Sequence, residues 1–399
     1  MSARRLALLG GRPAFHEPLV VGRPALAGRR ALLREIEVVL NRRWLSNNGP
    51  AVQALERRLA SRLGVRHAVA VSSGTQALQV AARALGLTGE VILPSFTYVA
   101  TAHALTWIGL RPVFGDVDPT THTLDPACVS SLVTRRTSGI VGVHLWGRPC
   151  DTTALSAVAR RHSLRLLFDA AHAFDCSHQG RMIGTFGDAE VFSFHATKHF
   201  TTVEGGAIVT NDDSMAGRAR ALRRYGIDPH GRVTGVGTNA TMNEVCAAIG
   251  LAGFRGLRTT EAANRRRHQR YARQLADVAD VRLLPFDDRQ RQNYQFAVIE
   301  VAEAAALTRD DLLAALRAEG IFAQRYFAPG CHRLEPYRRR RHAPLPVTER
   351  LCRTILCLPT GPGVLLRDVH TVCAIIRAAF AAADAVRRAV RPGPTAGSR

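Results

Sequence analysis

From Pro50 to Thr210, short apolar runs bounded by turn residues alternate with amphipathic stretches, and this alternation restricts the fold more than any other feature of the chain. Val52, Leu55, Leu59 and Leu63 recur at helical spacing behind Pro50, a residue suited to a first helical position. His67 to Val71 reads as a strand, Ser72-Ser73-Gly74-Thr75 as a turn and Gln76 to Leu85 as a helix. The pattern continues with Val91 to Pro94 (strand), Thr97 to Ile108 (helix), Pro112 to Phe114 (strand) and Gly139 to Leu145 (strand). Thr153 to His162 (helix) and Leu164 to Asp169 (strand) follow, then strands at Ala189 to Phe194 and Gly206 to Thr210. Such alternation predicts an α/β architecture whose mainly parallel central sheet is covered by helices.

Beyond about Leu251 the texture changes. An arginine-rich helix runs to about Val278, and a strand is expected at Gln295 to Glu300. A helix from Thr308 to Glu319 opens on a Thr-x-x-Asp capping pair, Thr308 and Asp311. The last helix starts near Asp368, with Val369, Val372, Cys373, Ile376 and Phe380 on one face. These elements predict a smaller α+β C-terminal domain. The resulting division is an N-terminal segment 1–48 packing on both domains, a large domain 49–255, a small domain 256–386 and a disordered tail 387–399.

The net charge of +22 raises the question of nucleic acid, with Arg265 to Arg267 and Arg338 to Arg341 as the densest runs. The basic residues are spread along the chain, and no nucleic-acid-binding motif accompanies them. A solvated arginine surface is the expectation, and its positive field would attract small anionic substrates. No apolar stretch approaches the roughly 18 residues that span a bilayer, and the run Leu6 to Leu9 is too short for a signal-peptide core. A cytoplasmic protein with neither membrane nor nucleic-acid partner is therefore expected. The eight cysteines are scattered singly, which favours reduced thiols over a disulfide framework or a zinc site.

Among the 54 basic residues there is a single lysine, Lys198. Arginine serves wherever positive charge alone is needed, but it is a poor nucleophile. A lysine amine can be desolvated, lose its proton and form a Schiff base. Two further features share the α/β part of the chain. Ser73-Gly74-Thr75 lies between a strand and a helix N-terminus, where backbone N–H groups and the helix dipole suit a phosphate. Asp169 ends an apolar strand, at the sheet edge where ligands of open α/β folds gather. Phosphate cradle, acidic strand end and lysine together describe a pyridoxal phosphate site. His195 and His199 have the i, i+4 spacing of metal ligands but no evident third partner, so no metal is expected. His144 at a strand end reads as structural, and Gly235-x-Gly237 lacks the βαβ context of a dinucleotide fingerprint.

The chain resembles the DegT/StrS family of sugar aminotransferases, within the fold-type-I pyridoxal phosphate enzymes. The matching stretches run in order from Ser46-Asn47-Asn48-Gly49-Pro50 through Val71 to Leu78, Pro94 to Tyr98, Val143 to Gly147, Asp169 to Ala173, Gly184 to Asp188, Ser193 to Lys198 and Glu204 to Gly206, ending at Gly237-Thr238-Asn239. The resemblance implies a fold-type-I large domain with a smaller C-terminal domain. It also implies pyridoxal 5'-phosphate as cofactor, with pyridoxamine 5'-phosphate as its intermediate form. Lys198 would be catalytic and hold the cofactor, Asp169 would pair with the pyridine nitrogen, and His172 would sit by the ring hydroxyl. Tyr98 would stack on the ring, and Gly74, Thr75 and Ser193 would bind the phosphate. Asn239 would reach the phosphate of the neighbouring subunit, which implies a homodimer with shared sites. Asn47, Tyr326 and His332 are the implied substrate contacts.

By resemblance the donor is L-glutamate and the acceptor a nucleotide-linked keto-sugar. The stretches Phe192 to Lys198, Asp169 to His172 and Tyr326 to His332 are similar to the subgroup acting at C4 of TDP-4-keto-6-deoxyglucose. A 3-keto-sugar or aminocyclitol acceptor is the alternative, and a basic nucleic-acid-binding or regulatory protein the remote one. Two positions depart from the subgroup: Asp175 stands where glycine is usual, and His199 where an aromatic is usual.

Overall fold

The computed structural model describes residues 5–26 and 28–390. The chain opens with a short strand, β1 (Leu19–Val20), and two helices, α1 (Arg29–Arg42) and α2 (Pro50–Leu63). Then come β2 (His67–Val71), α3 (Gly74–Ala84), β3 (Glu90–Pro94), α4 (Val99–Trp107), β4 (Arg111–Gly115), α5 (Pro126–Leu132), β5 (Thr137–Val143), α6 (Thr152–Arg161) and β6 (Arg165–Asp169). A small hairpin, β7 (Ser177–His178) and β8 (Arg181–Met182), precedes β9 (Ala189–Ser193), β10 (Gly206–Thr210), α7 (Asp213–Leu222) and α8 (Glu244–Gly253). Those from β2 to β10, the hairpin apart, form a seven-stranded sheet in the order β2-β10-β9-β6-β5-β3-β4.

The sheet is parallel except for β10, which runs antiparallel to both neighbours. The cause lies in the connection. A parallel return needs a crossover, usually a helix, whereas residues 194–205 form an irregular loop that turns the chain directly back beside β9. That loop contains Lys198.

Both sheet faces are covered. On one, Leu55, Leu59 and Leu63 of α2 and Ala247 and Ala248 of α8 pack with Phe168 and Phe192. On the other, Ala77 and Ala81 of α3, Leu105 of α4 and Met215 of α7 pack with Leu167, Val191 and Ile208. The strand expected to reach Leu145 stops at Val143, because Leu145 to Gly147 form a tight turn in which Trp146 takes φ +62.

The rest of the chain holds α9 (Leu257–Leu275), β11 (Val281–Leu283), β12 (Ala297–Val301), α10 (Arg309–Ala318), β13 (Ile321–Phe322), α11 (Pro346–Thr354), β14 (Ile355–Leu358), α12 (Leu366–Ala381) and α13 (Ala383–Val390). The antiparallel sheet β11-β12-β14 packs beneath α9, α10 and α12 through Tyr271, Ile299, Leu312, Leu316, Val372 and Ile376. The capping box of Thr308 and Asp311 forms as the spacing predicts. β1 pairs in parallel with β13, and Leu6 and Leu19 lie in this second core, while Val39 of α1 lies in the first. The tail expected to be disordered from residue 387 is helical as far as Val390, where α13 buries Val386 against the second core. The remainder of that tail, 391–399, lies outside the described residues. A third cluster, with Phe96, Val143, Leu145, Trp146, Phe296 and Val298, ties the carboxyl end of β5 to β12. The site lies beside this seam.

Candidate active site

A cavity of about 410 Å³ opens at the carboxyl ends of the parallel strands. Gly74, Thr75, Tyr98, Asp169, His172, Ser193, Lys198 and Tyr326 all line it. So these residues, distant in sequence, meet in one place.

The wall formed by α3 is a helix start. Ser73 is extended (φ −161) and caps the helix, its Oγ accepting the Gln76 N–H at 3.2 Å. The first turn of α3 thus turns free N–H groups and the positive end of its dipole toward the cavity. Gly74 is forced by contact: a Cβ there would lie 2.7 Å from Ser193 Cβ and 3.1 Å from Ser193 Oγ. A backbone cradle with a hydroxyl against it is the kind of site that takes a phosphate.

Asp169 closes β6 between Val143 of β5 and Val191 of β9. Its Oδ1 accepts the Ala171 N–H at 3.1 Å, and its Oδ2 accepts the Thr101 hydroxyl at 2.9 Å. Burial pushes its pKa up, opposed by these two hydrogen bonds and by Lys198. The carboxylate therefore gains from any cation brought against it. Lys198 is held by a turn in which its N–H donates to the His195 carbonyl at 2.9 Å. Burial lowers its amine to about 8, partly offset by Asp169. His172 is buried and kept neutral, its pKa lowered by burial and by Lys198. It lies 4.5 Å from the Phe296 ring and stacks on Trp146 at 5.9 Å.

The outer walls include residues without an evident sequence signal. Phe296 and Phe327 add aromatic surface, and Gln295 donates from Nε2 to the Thr197 carbonyl at 3.0 Å. Val21 and Gly22 arrive from the N-terminal segment, and Glu204 faces His195 at 3.5 Å. Thr97 and Thr101 line the floor. Their i, i+4 spacing at the start of α4 was the available clue.

Three expected site residues lie elsewhere. His332 is buried outside the cavity, where its backbone N–H donates to Ser95 Oγ at 3.0 Å and its Nδ1 shares a hydrogen bond with the same hydroxyl at 2.7 Å. It fixes a turn and does not reach the cavity of its own chain. Asn47 is exposed in a left-handed turn (φ +61), and Asn239 is exposed with its Oδ1 accepting from Thr241 at 2.9 Å. His195 is exposed and His199 buried, so the i, i+4 pair does not converge. His144 is wholly buried: its Nδ1 accepts the Cys150 N–H at 3.0 Å, its Nε2 lies 3.2 Å from Glu190, and its ring stacks on Phe168.

The two departures from the subgroup pattern form one cluster behind the lysine loop. Asp175 takes φ +65 and is buried. It receives Arg62 Nε and Nη2 at 2.8 and 2.7 Å and Arg291 Nη2 at 2.7 Å. His199 lies in their field with neither ring nitrogen hydrogen-bonded.

Residues 28–377 match the model of the DegT/DnrJ/EryC1/StrS aminotransferase family. The chain belongs to this family. This aminotransferase is 35% identical over 315 residues to a dTDP-4-amino-4,6-dideoxy-D-glucose transaminase of Shigella dysenteriae, an alignment covering 79% of this chain and 86% of the relative. It is 37% identical over 338 residues to a GDP-perosamine synthase of Caulobacter vibrioides, covering 84% and 91% respectively. A crystal structure of DesI in the presence of its TDP-sugar product superposes with a TM-score of 0.93 at 48% identity, over 97% of this chain and 99% of that one. The enzyme is thus a pyridoxal-phosphate-dependent aminotransferase of fold type I.

Proposed function

We propose that this aminotransferase moves an amino group from L-glutamate to a nucleotide-linked keto-sugar, TDP-4-keto-6-deoxy-D-glucose, giving TDP-4-amino-4,6-dideoxy-D-glucose for antibiotic-sugar biosynthesis. The observation that carries the acceptor is the likeness to DesI over nearly the full length of both chains.

In this reading the Gly74 and Thr75 amides and the Ser193 hydroxyl hold the cofactor phosphate, Asp169 faces the pyridine nitrogen and His172 the ring hydroxyl. Tyr98 covers a ring face, and Lys198 is the point of attachment. When bound, the cofactor supplies an electron sink for charge left on the amino-bearing carbon. Lys198 Nζ would carry the proton between that carbon and C4′ of the cofactor, and an amine near pKa 8 suits both taking and giving it at neutral pH. Phe296, Tyr326 and Phe327 shield the reacting atoms from water.

The same reading includes a homodimer in which Asn239 of each subunit serves the other's cofactor phosphate. Supporting it, Val38, Leu40, Trp44 and Leu45 are each about half exposed around the end of α1, and Val233 and Val236 are exposed near Asn239. Asn47 would join the substrate site from that face. A cytoplasmic location fits the eight unpaired cysteines.

The test is the visible spectrum of the purified enzyme. Colour that bleaches with L-glutamate and returns with TDP-4-keto-6-deoxyglucose supports the proposal. Bleaching without return redirects the acceptor to 3-keto-sugars or inosose. A protein that stays colourless after incubation with pyridoxal phosphate refutes the reading.

A further inference from the structure

Asp169 must stay ionised to hold a proton on a pyridine nitrogen, yet it is only 6% exposed and burial favours its neutral form. Two donors oppose that tendency. One, the Ala171 N–H, is backbone and available to any sequence. The other, the Thr101 hydroxyl, belongs to a side chain on α4 that is 1% exposed.

The hydroxyl's single proton settles its direction. Thr101 Oγ1 gives that proton to Asp169 Oδ2 at 2.9 Å, so at Thr97 Oγ1, 3.0 Å away, it can only accept. Thr97 is also buried, and all three residues line the cavity floor. The result is a directed chain, Thr97 to Thr101 to Asp169, with each donor polarising the next.

The geometry points to Thr101, oriented by Thr97, as a positioning residue that keeps the Asp169 carboxylate ionised and aimed at the pyridine nitrogen. This rests on the assignment of Asp169 as the partner of that nitrogen. Two basic sites compete for one proton, the Asp169 oxygen and the ring nitrogen. A hydrogen bond donated to the carboxylate lowers the proton affinity of the first and leaves the proton on the second.

Removing the donor shifts this balance toward protonated Asp169 by about tenfold or more, the worth of a hydrogen bond to a charged group. The experiment loads the enzyme with pyridoxal phosphate carrying ¹⁵N in the ring and reads the ring-nitrogen chemical shift. The proteins compared are the wild type, Thr101→Val, Thr101→Ser and Asp169→Asn. The expected order places Thr101→Val between the wild type and Asp169→Asn, with Thr101→Ser returned to the wild-type value. A purely structural role for Thr101 would alter stability without moving this signal. If Thr101→Val does not fold, Thr101→Ala, which removes the same hydroxyl and adds no methyl in its place, decides instead. A wild-type signal in the hydroxyl-free variant beside a displaced Asp169→Asn overturns the role of Thr101 and leaves Asp169 in place. An undisplaced Asp169→Asn overturns the Asp169 assignment and the Thr101 role together.

Discussion

His199→Phe puts back the aromatic usual beside the lysine, and its consequences follow from the surroundings of the imidazole. His199 is 4% exposed and neither ring nitrogen has a hydrogen-bond partner. Burial lowers its pKa from 6.5 to about 4; Asp175 opposes the shift, while Arg291 and Arg62 add to it. Between these values the unfolded chain binds a proton that the folded chain refuses, so stability falls as pH drops through the window from 6.5 to about 4. The full loss is about 3 kcal/mol, of which about 2 kcal/mol falls between pH 7 and pH 5. His122, also buried and lowered to about 4, makes a similar loss of its own, so the variant keeps roughly half of the slope due to this pair. Phenylalanine also removes two unsatisfied buried polar atoms, worth about 1–3 kcal/mol each when left unpaired. The assay is urea unfolding of both proteins at pH 7 and pH 5, followed by tryptophan fluorescence. The variant should be at least as stable at pH 7, and its advantage should grow by about 2 kcal/mol at pH 5. Parallel pH dependences for the two proteins would refute the reasoning.

Lys198→Ala should lower amino transfer by at least about 100-fold while leaving the folded circular dichroism spectrum unchanged, as steady-state kinetics on both proteins would show. Gly74→Ala drives a Cβ to 2.7 Å from Ser193, and at about 1–3 kcal/mol of overpacking it should weaken cofactor affinity some 5- to 100-fold in a pyridoxal phosphate titration. Asp175→Asn removes the carboxylate shared by Arg62 and Arg291, leaving Arg291 the longer contact to Glu261 at 3.5 Å. It should cost about 3 kcal/mol, the low end for a broken buried pair because Glu261 remains and both guanidinium groups keep some solvent. Differential scanning calorimetry of the loaded enzyme checks it, and an unchanged midpoint would mean the cluster contributes nothing.

What the sequence made legible and what it hid divide along a physical line. Most strands and helices between Pro50 and Thr210 were readable because each is amphipathic or wholly apolar over its own length, and periodicity is a local property; the short α5, β7 and β8 offered too few residues to show a period. The reversed direction of β10 was not, since its sequence Gly206 to Thr210 is that of any buried strand and the cause lies in the loop before it. The pairing of Leu19 and Val20 with Ile321 and Phe322 joins distant parts of the chain and leaves no pattern in either. In the site, Lys198 and Asp169 stood out by scarcity and by position at a strand end. Thr101 did not, because a threonine in an apolar helix looks like packing until its hydroxyl is seen against Asp169. His332 hid its place for the opposite reason: its neighbours Tyr326 and Phe327 line the cavity, but a turn at Gly330 carries its imidazole to Ser95, outside the cavity of its own chain.

The lysine loop leaves β9 and re-enters the same sheet as β10, while Asp169 sits on β6 next to β9. The loop that carries the reacting lysine and the acid that tunes it thus both spring from adjoining strands of one sheet. The remaining wall, with Gln295, Phe296, Tyr326 and Phe327, comes from the segments around β12 and after β13, and Gln295 donates a hydrogen bond to Thr197 of the lysine loop. Selection for a new sugar can therefore rework that wall while Lys198 and Asp169 keep their places, with Phe296 constrained by its packing on His172. Chimeras that exchange segments beyond α9 between enzymes of differing acceptors should trade preference while inheriting an intact reaction centre.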